Sequence, residues 1–347
     1  MLQNAAIRRV LGVFKTAPIR PIEVESALVP TKIRLSHMIR RYSLRMLQLN
    51  ENHPVNVKLQ QIRDSESLYY YTSDTSAMER RIRRNKKQLQ LKYLSNSINL
   101  ELFSDTKIDT IVNNYYSPWD KVIYYLVEIC TESKEEAAKQ HISYLKSLYR
   151  QPFVSSIYTN ASKLNELNNV RISLVMYNHK TAYIPKVASY SKNRNLGSHV
   201  IIYDGELEVV TRAIEYAASV VKRGDYFNVF SDNQAVLKRL SVLSDKPSQS
   251  HQIRANLAAK SIIDKGAKIV LKWVPGHEAI IGNEEADKLA KLATALDPPD
   301  NTSLSFAYIN LLISAQKFEK WSNLLIKYSE KHLRDKGYID SYSKVYP

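Results

Sequence analysis

Three acidic side chains lie near predicted strand ends and helix starts in the second half of the chain. Glu206 lies near the start of a predicted long helix, Asp232 follows the apolar segment YFNVFS, and Asp287 lies in GNEEADKLA. Carboxylates from separate elements can converge above one edge of a sheet, and hard cations such as Mg²⁺ prefer oxygen ligands. Two such ions about 4 Å apart would activate a water molecule and stabilise the leaving oxygen of a phosphodiester. The three acids therefore predict metal-dependent phosphodiester hydrolysis.

Two further polar residues accompany these acids. His277 lies in the loop WVPGHEAIIGN, where an imidazole could move a proton or assist product release. Asn160 ends the predicted strand in VSSIYTNASKL, and strand ends of α/β proteins often carry catalytic groups. An amide offers one carbonyl oxygen, but it lacks the negative charge of a carboxylate. If a site lies at this strand end, Asn160 supplies it with a neutral oxygen and no charge.

The hydrophobic pattern predicts the elements that would position these residues. Strands are predicted at 154–159, 171–178, 226–231 and 268–274, with a possible edge strand at 181–188, and helices at 204–222, 234–240, 251–265 and 282–296. Asn283 is a plausible N-cap for the last helix. Antiparallel strands followed by alternating helices and strands predict an α/β fold, with a mixed sheet that is covered by helices.

Four segments, in this order and spacing, carry a family resemblance: IYTNAS, YDGELE, FSDNQAVL and KWVPGHEAIIGNEEADKLAK. Over residues 152–297 the chain resembles the type 1 ribonuclease H domain, in the version carried by reverse transcriptase polyproteins of fungal non-LTR retrotransposons. The resemblance implies a ribonuclease H-like mixed sheet flanked by helices. It also implies hydrolysis of the RNA strand of RNA–DNA hybrids, with Mg²⁺ or Mn²⁺ as the cofactor.

The same resemblance assigns roles to individual residues. Glu206, Asp232 and Asp287 match three of four metal-binding acids, and His277 matches the loop histidine. The fourth acid would stand at Asn160, so we expect impaired activity. The resemblance also marks three candidate nucleic-acid contacts: Ser162, Asn233 and Gln234.

Two nearby positions depart from the family pattern. Ala161 replaces a glycine that lets the backbone approach the nucleic acid. Arg171 lies in NNVRISLVM, where the family usually has small, glycine-rich residues. Both departures predict altered docking of the hybrid.

The flanking segments are predicted to be helical extensions of this domain. Residues 1–50 resemble the region after a reverse transcriptase core, 51–151 form a weakly patterned connector, and 298–347 form a helical tail. Nothing before residue 152 resembles the Asp-Asp motif of a polymerase. We therefore expect a fragment of a polyprotein, with a separate reverse transcriptase polyprotein as a possible partner.

Composition narrows the partners and the compartment. The net charge is +16 and favours a polyanion such as nucleic acid. The basic run at 80–87 fits either phosphate binding or a solvated helix face. Cys130 is the single cysteine, which excludes an internal disulfide and Cys-type zinc sites and fits an intracellular compartment, either nucleus or cytoplasm. No apolar run is long enough to cross a membrane.

Three functional readings remain open on the sequence alone. The domain is an active ribonuclease H, a catalytically dead hybrid-binding remnant of a retroelement, or the translation of a decayed element without a selected function. A fold does not separate these alternatives, because activity depends on the site.

Overall fold

The computed structural model describes most of the chain, in two compact units. The described residues are 2–49, 52–58, 61, 111–112, 115–117, 119, 121–148, 151–163, 169–179, 187–293 and 304–332. One unit comprises 1–47, 51–102 and 309–347, and the other comprises 48–50 and 103–308. The basic run at 80–87 and most of the connector lie outside the described residues.

The first unit contains the helices at both ends of the chain. Its elements are α1 (Leu2–Val10), α2 (Ile19–Glu25), α3 (Thr31–Leu47) and most of a later helix, α9 (Phe306–His332). Pro18 precedes α2 as its N-cap, a position that needs no backbone N–H donor. The side chains of Ile7, Ile22 and Leu44 are buried. Among the helices that the structure describes, none is long and apolar enough to cross a bilayer.

The second unit is built on a mixed sheet of six strands. Its strands are β1 (Leu126–Glu128), β2 (Val154–Lys163), β3 (Val170–Asn178), β4 (Tyr190–Gly197), β5 (Tyr226–Ser231) and β6 (Lys268–Trp273). Their order across the sheet is β1-β6-β5-β2-β3-β4. β2, β5, β6 and β1 pair in parallel, whereas β3 and β4 are antiparallel to their neighbours. This topology confirms the predicted α/β fold with a mixed sheet.

Helices cover both faces of this sheet. They are α4 (Lys134–Ser147), α5 (Ile202–Val220), α6 (Gln234–Leu240), α7 (Gln249–Asp264) and α8 (Ile281–Leu292). Gly205 of α5 packs against Ala161 and Ile172, whereas Gly282 of α8 packs against Tyr158. Because side chains alternate along a strand, residues 158 and 161 of β2 point to opposite faces. Helices α5 and α8 therefore sandwich the sheet.

The folded unit extends beyond the segment that the sequence pattern delimits. β1 pairs in parallel with β6, with Leu126 opposite Val270, and α4 connects β1 to β2. The ring of His141 in α4 bonds to the hydroxyl of Tyr158 at 2.9 Å. The sheet and its cover therefore begin about 25 residues before the expected boundary at 152.

Two local predictions differ from the structure. The predicted edge strand at 181–188 falls mostly on residues 180–186, which lie outside the described part of the chain, and the structure contains an unpredicted strand over Tyr190–Gly197. The polar sequence YSKNRNLG forms a strand because one face and one edge of it remain in contact with solvent. Asn283 is the third residue of α8 and is buried, while Ile280 occupies the N-cap position. The predicted cap at Asn283 is therefore wrong.

Gly282 is required by the close approach of α8 to β2. A Cβ atom at this position would lie 2.3 Å from the ring of Tyr158, which stacks on Phe230 and is held by His141. Alanine normally favours a helix over glycine by about 1 kcal/mol. We expect Gly282→Ala to lower the free energy of unfolding by about 1–3 kcal/mol through overpacking. Urea denaturation measures this change.

A double-mutant cycle with Tyr158→Leu tests the cause of that loss. The smaller side chain removes the ring that the new methyl group would strike, so Gly282→Ala should cost less in the Tyr158→Leu background. Equal costs in both backgrounds, or a stabilising Gly282→Ala, would contradict the steric explanation.

Candidate active site

Asp232 follows the carboxyl end of β5, and Asn160 lies in β2 just beyond the last residue that pairs with β5. Thr159 of β2 pairs with Ser231 of β5, so the next residue of each strand, Asn160 and Asp232, lies at the same edge of the sheet. Asn160 is buried and Asp232 is half-buried. The fold therefore brings the amide and the first acid side by side.

Glu206 reaches the same edge from the first turns of α5. Its Oε1 accepts a hydrogen bond of 2.9 Å from the backbone N–H of Ala161, the residue after Asn160. Its Oε2 is buried and has no hydrogen-bond partner. The preceding residue, Gly205, allows this approach, because a Cβ atom there would lie 2.5 Å from the side chain of Val170.

Asp287 comes to the site from the opposite face, on α8. Ser173 pairs with Asn160 across β2 and β3, and its hydroxyl donates to the backbone oxygen of Ala286. Asp287 is the next residue, and its carboxylate forms an ion pair with Lys291 one helical turn later. The structure thus places all four sequence-predicted positions around one edge of the sheet, and the carboxylate of Asp287 is paired with the side chain of Lys291.

Burial and mutual repulsion shift the titration of two of these acids. Burial is the main cause that raises the pKa of Glu206, the negative charges of Asp232 and Asp287 add to it, and the Ala161 N–H opposes it; the result is a pKa of about 8. The pKa of Asp232 is also raised, chiefly by burial, while a hydrogen bond from Asn283 and the charge of His277 act to lower it. The carboxylates of Glu206, Asp232 and Asp287 therefore repel one another.

The loop between β6 and α8 closes over Asp232. The indole N–H of Trp273 donates to the backbone oxygen of Asp232 at 3.0 Å. A Cβ atom at Gly276 would lie 2.8 Å from Oδ2 of Asp232, so a larger residue there would require the carboxylate to shift. His277 follows with a left-handed φ of 63°. The loop places His277 near enough to Asp232 for its charge to lower the pKa of that carboxyl.

Asn283, predicted above to be an N-cap, instead lies near Asp232. Its side chain is close enough to lower the pKa of that carboxyl, and its buried Oδ1 has no hydrogen-bond partner among the described residues. The spacing of four residues to Asp287 puts both residues on one face of α8. The spacing between Asn283 and Asp287 was the sequence feature that could have identified Asn283 as a site residue. It predicts the position of Asn283 better than the preference of asparagine for N-caps does.

The three candidate nucleic-acid contacts lie around this edge in different environments. Ser162 is buried opposite Arg171, and Asn233 accepts hydrogen bonds from the N–H groups of Ala235 and Val236 as the N-cap of α6. Gln234 is the first residue of α6 and is half-buried. The carboxamide oxygen of Asn233 is thus engaged by the helix, which leaves its NH₂ group as the donor for a ligand.

The two departures from the family pattern point into the fold. The methyl group of Ala161 is buried and lies against Gly205 of α5, away from the edge. Arg171 is fully buried, and its guanidinium nitrogens have no hydrogen-bond partner. Neither side chain blocks the carboxylate edge.

The oxygen donors at this edge are of the kind that a divalent cation prefers. Among the described residues, no three His, Cys, Asp or Glu side chains stand close enough to hold a metal ion as they lie. The unpartnered Oε2 of Glu206 and the carboxylate of Asp232 supply the oxygen ligands that such a cation prefers. Asp287 adds a third carboxylate once its ion pair with Lys291 opens.

The part of the chain that contains this edge is similar to known proteins. Residues 153–295 match the family model described as RNase H. Solved structures that resemble the chain include RNase H1 from Halobacterium salinarum NRC-1, with 18% identity over 40% of this chain and 96% of that one, and a TM-score of 0.31. Another is the N-terminal RNase H domain of a Mycobacterium tuberculosis protein fused to maltose-binding protein, with 16% identity over 41% and 93% of the chains, and a TM-score of 0.31. The family match runs from the start of β2 to just beyond α8.

Proposed function

Because residues 153–295 form an RNase H family domain, we propose that the chain is a type 1 ribonuclease H of impaired activity. Its substrate is the RNA strand of an RNA–DNA hybrid, which it hydrolyses in the presence of Mg²⁺ or Mn²⁺. The observation that carries the proposal is the convergence of Glu206, Asp232 and Asp287 at one sheet edge within the family domain.

Each residue at the edge has a proposed part in the reaction. Glu206, Asp232 and Asp287 would hold a divalent cation, which neutralises the phosphate and activates the attacking water. Asn283 and Gly276 keep the carboxylate of Asp232 in place. His277 accepts or returns a proton and assists product release.

Asn160 is the proposed cause of the impairment. The amide contributes one carbonyl oxygen but no charge, so the edge carries three acids where the family uses four. One of those three, Asp287, is neutralised by Lys291. We expect weak occupancy of at least one metal position and a loss of transition-state stabilisation of about 3–5 kcal/mol.

The second candidate function is a catalytically dead module that binds hybrids. The net charge of +16 supports it, since basic side chains hold a phosphate backbone without any catalytic group. The uncharged Asn160 also favours it. In this reading the chain binds A-like hybrid geometry and leaves the RNA intact.

We infer a retroelement origin from the motifs and the flanks. The spacing of WVPGH and GNEEAD supports the version found in fungal non-LTR retrotransposons, with a reverse transcriptase polyprotein as the parent or partner. The helices α1 to α3 before the domain and α9 after it are consistent with such a polyprotein. The single cysteine supports an intracellular compartment, nuclear or cytoplasmic.

The discriminating experiment is cleavage of a labelled RNA–DNA hybrid by the full chain. We expect slow cutting that requires Mg²⁺ or Mn²⁺ and stops in EDTA. Asp232→Asn should reduce the rate by a further 100-fold or more, because it removes the charge at the centre of the site. Asp264→Asn is the matched control, since that exposed acid pairs only with Lys260 on the surface of α7.

The outcomes separate the two functions. Binding of the hybrid without any cleavage in either metal would select the dead module. Equal cutting by wild type and Asp232→Asn would refute the proposed site.

A further inference from the structure

The free edge of the sheet carries an open groove that the carboxylate site does not use. It lies between β4 and α5 and has a volume of about 240 Å³. Its exposed apolar floor is formed by the half-buried rings of Tyr190 and Tyr216, above Ile172, Leu174 and Val209, which are almost fully buried. The two rings stack, with centroids 3.9 Å apart and planes at 9°. The groove is smaller than the ~300–1,000 Å³ of an ordinary small-molecule site.

Two basic side chains of β4 border the groove. Arg194 pairs with Ile172 and Lys192 pairs with Leu174, so both cations lie on the same face as the floor. Ile172 in turn pairs with Ala161, whose N–H binds Glu206. The paired residues Arg194, Ile172 and Ala161 therefore form one line across β4, β3 and β2, which leads to the carboxylate of Glu206.

The charges of the groove are not balanced. Arg212 bonds to Glu208, and Glu215 bonds to Arg254, so these wall residues of α5 are neutralised. Lys192 and Arg194 form no hydrogen bond or ion pair within the described chain. Basic side chains on an edge strand also prevent that strand from pairing with strands of other molecules, and this alone could explain Lys192 and Arg194. That explanation does not require an apolar floor beneath them.

We propose that this groove holds the sugar-phosphate backbone of a nucleic-acid strand that continues from the carboxylate site. The inference rests on the proposed function and adds a second contact region to it. Two strand spacings of ~4.8 Å separate Arg194 from Ala161, a span of about 10 Å. One strand of a duplex places about three phosphates along that length. Lys192 and Arg194 neutralise these phosphates, while the sugars lie on the apolar floor.

The test is binding of a fluorescent RNA–DNA hybrid to the full chain in EDTA, measured by anisotropy at several KCl concentrations. The variant is Lys192→Gln with Arg194→Gln, and the matched control is Lys222→Gln with Lys268→Gln. The control removes the same charge from exposed positions at the opposite end of the sheet. We expect the groove variant to reduce the salt slope by about 2 and the affinity by about 10-fold or more.

The readouts separate this inference from the proposed function. Equal slopes for the groove variant and the control would overturn the groove while leaving hybrid cleavage intact. Absence of hybrid binding by wild type would instead overturn the proposed function. Unchanged melting temperatures of the variants confirm that the fold is intact. A dimer of wild type that dissociates in the groove variant would assign the edge to self-association and overturn the inference.

Discussion

Asn160→Asp should raise the rate of hybrid cleavage in Mg²⁺ by about 100-fold or more over wild type. The substitution is nearly isosteric and places a carboxylate beside Asp232, at the end of β2. A fourth acid restores the charge that a pair of divalent cations needs and adds an oxygen that can bridge them. Single-turnover cleavage of a labelled hybrid measures the gain.

The same substitution should change the response of the fold to metal. Without a cation, a further negative charge at an edge where the pKa of Glu206 is already about 8 lowers stability. With Mg²⁺ the charge is compensated, so the melting temperature of Asn160→Asp should rise more on metal addition than that of wild type. This thermal readout is independent of catalysis.

Asn233→Asp is the control for the added charge, compared at saturating hybrid because Asn233 is also a candidate nucleic-acid contact. Aspartate serves as a helix N-cap as well as asparagine does, so α6 keeps its start while the same edge gains one negative charge. We expect no gain in cleavage rate. A comparable gain in this control, or an unchanged rate in Asn160→Asp, would show that the identity of residue 160 does not limit activity.

The central part of the fold could be predicted from hydrophobic periodicity. Strands such as YFNVFS and helices such as α6 are decided by local sequence, because one face or both faces of each are buried. The placement of Asn160 and Asp232 at one edge follows from the rule that neighbouring parallel strands end at the same edge of a sheet.

Other features depend on tertiary contacts that no local pattern contains. β1 has only three residues and exists through its pairing with β6. β4 is polar because it is an edge strand, so a search for apolar runs does not find it. Asn283 reads as a cap by residue type, yet α8 begins at Ile281 and aims that side chain at Asp232. The structures of β1, β4 and the start of α8 therefore depend on the elements that pack against them.

Glu206→Gln should change the pH dependence of stability in EDTA. The pKa of Glu206 is raised from 4.5 to about 8, first by burial and then by the charges of Asp232 and Asp287. Between these two values the folded state retains a proton that the unfolded state has released. The free energy of unfolding of wild type therefore falls as pH rises through this window, by about 1.4 kcal/mol per unit of the shift. Glutamine cannot titrate, so the variant lacks this loss.

The measurement is urea denaturation of wild type and Glu206→Gln from pH 5 to pH 8.5. At pH 5 the difference reports only the exchange of a neutral acid for an amide. We expect the variant to gain stability relative to wild type as pH rises, by several kcal/mol in all.

Glu208→Gln on the same helix provides the control of opposite sign. Burial tends to raise the pKa of Glu208, but hydrogen bonds and charges from His251 and Arg254 outweigh it and lower the pKa. Its charge therefore stabilises the fold at neutral pH, and Glu208→Gln should lose stability where Glu206→Gln gains it. If the stability of Glu206→Gln and of wild type changed in parallel with pH, residue 206 would already be ionised in the folded protein. The repulsion between the acids at this edge would then be too weak to favour binding of a cation.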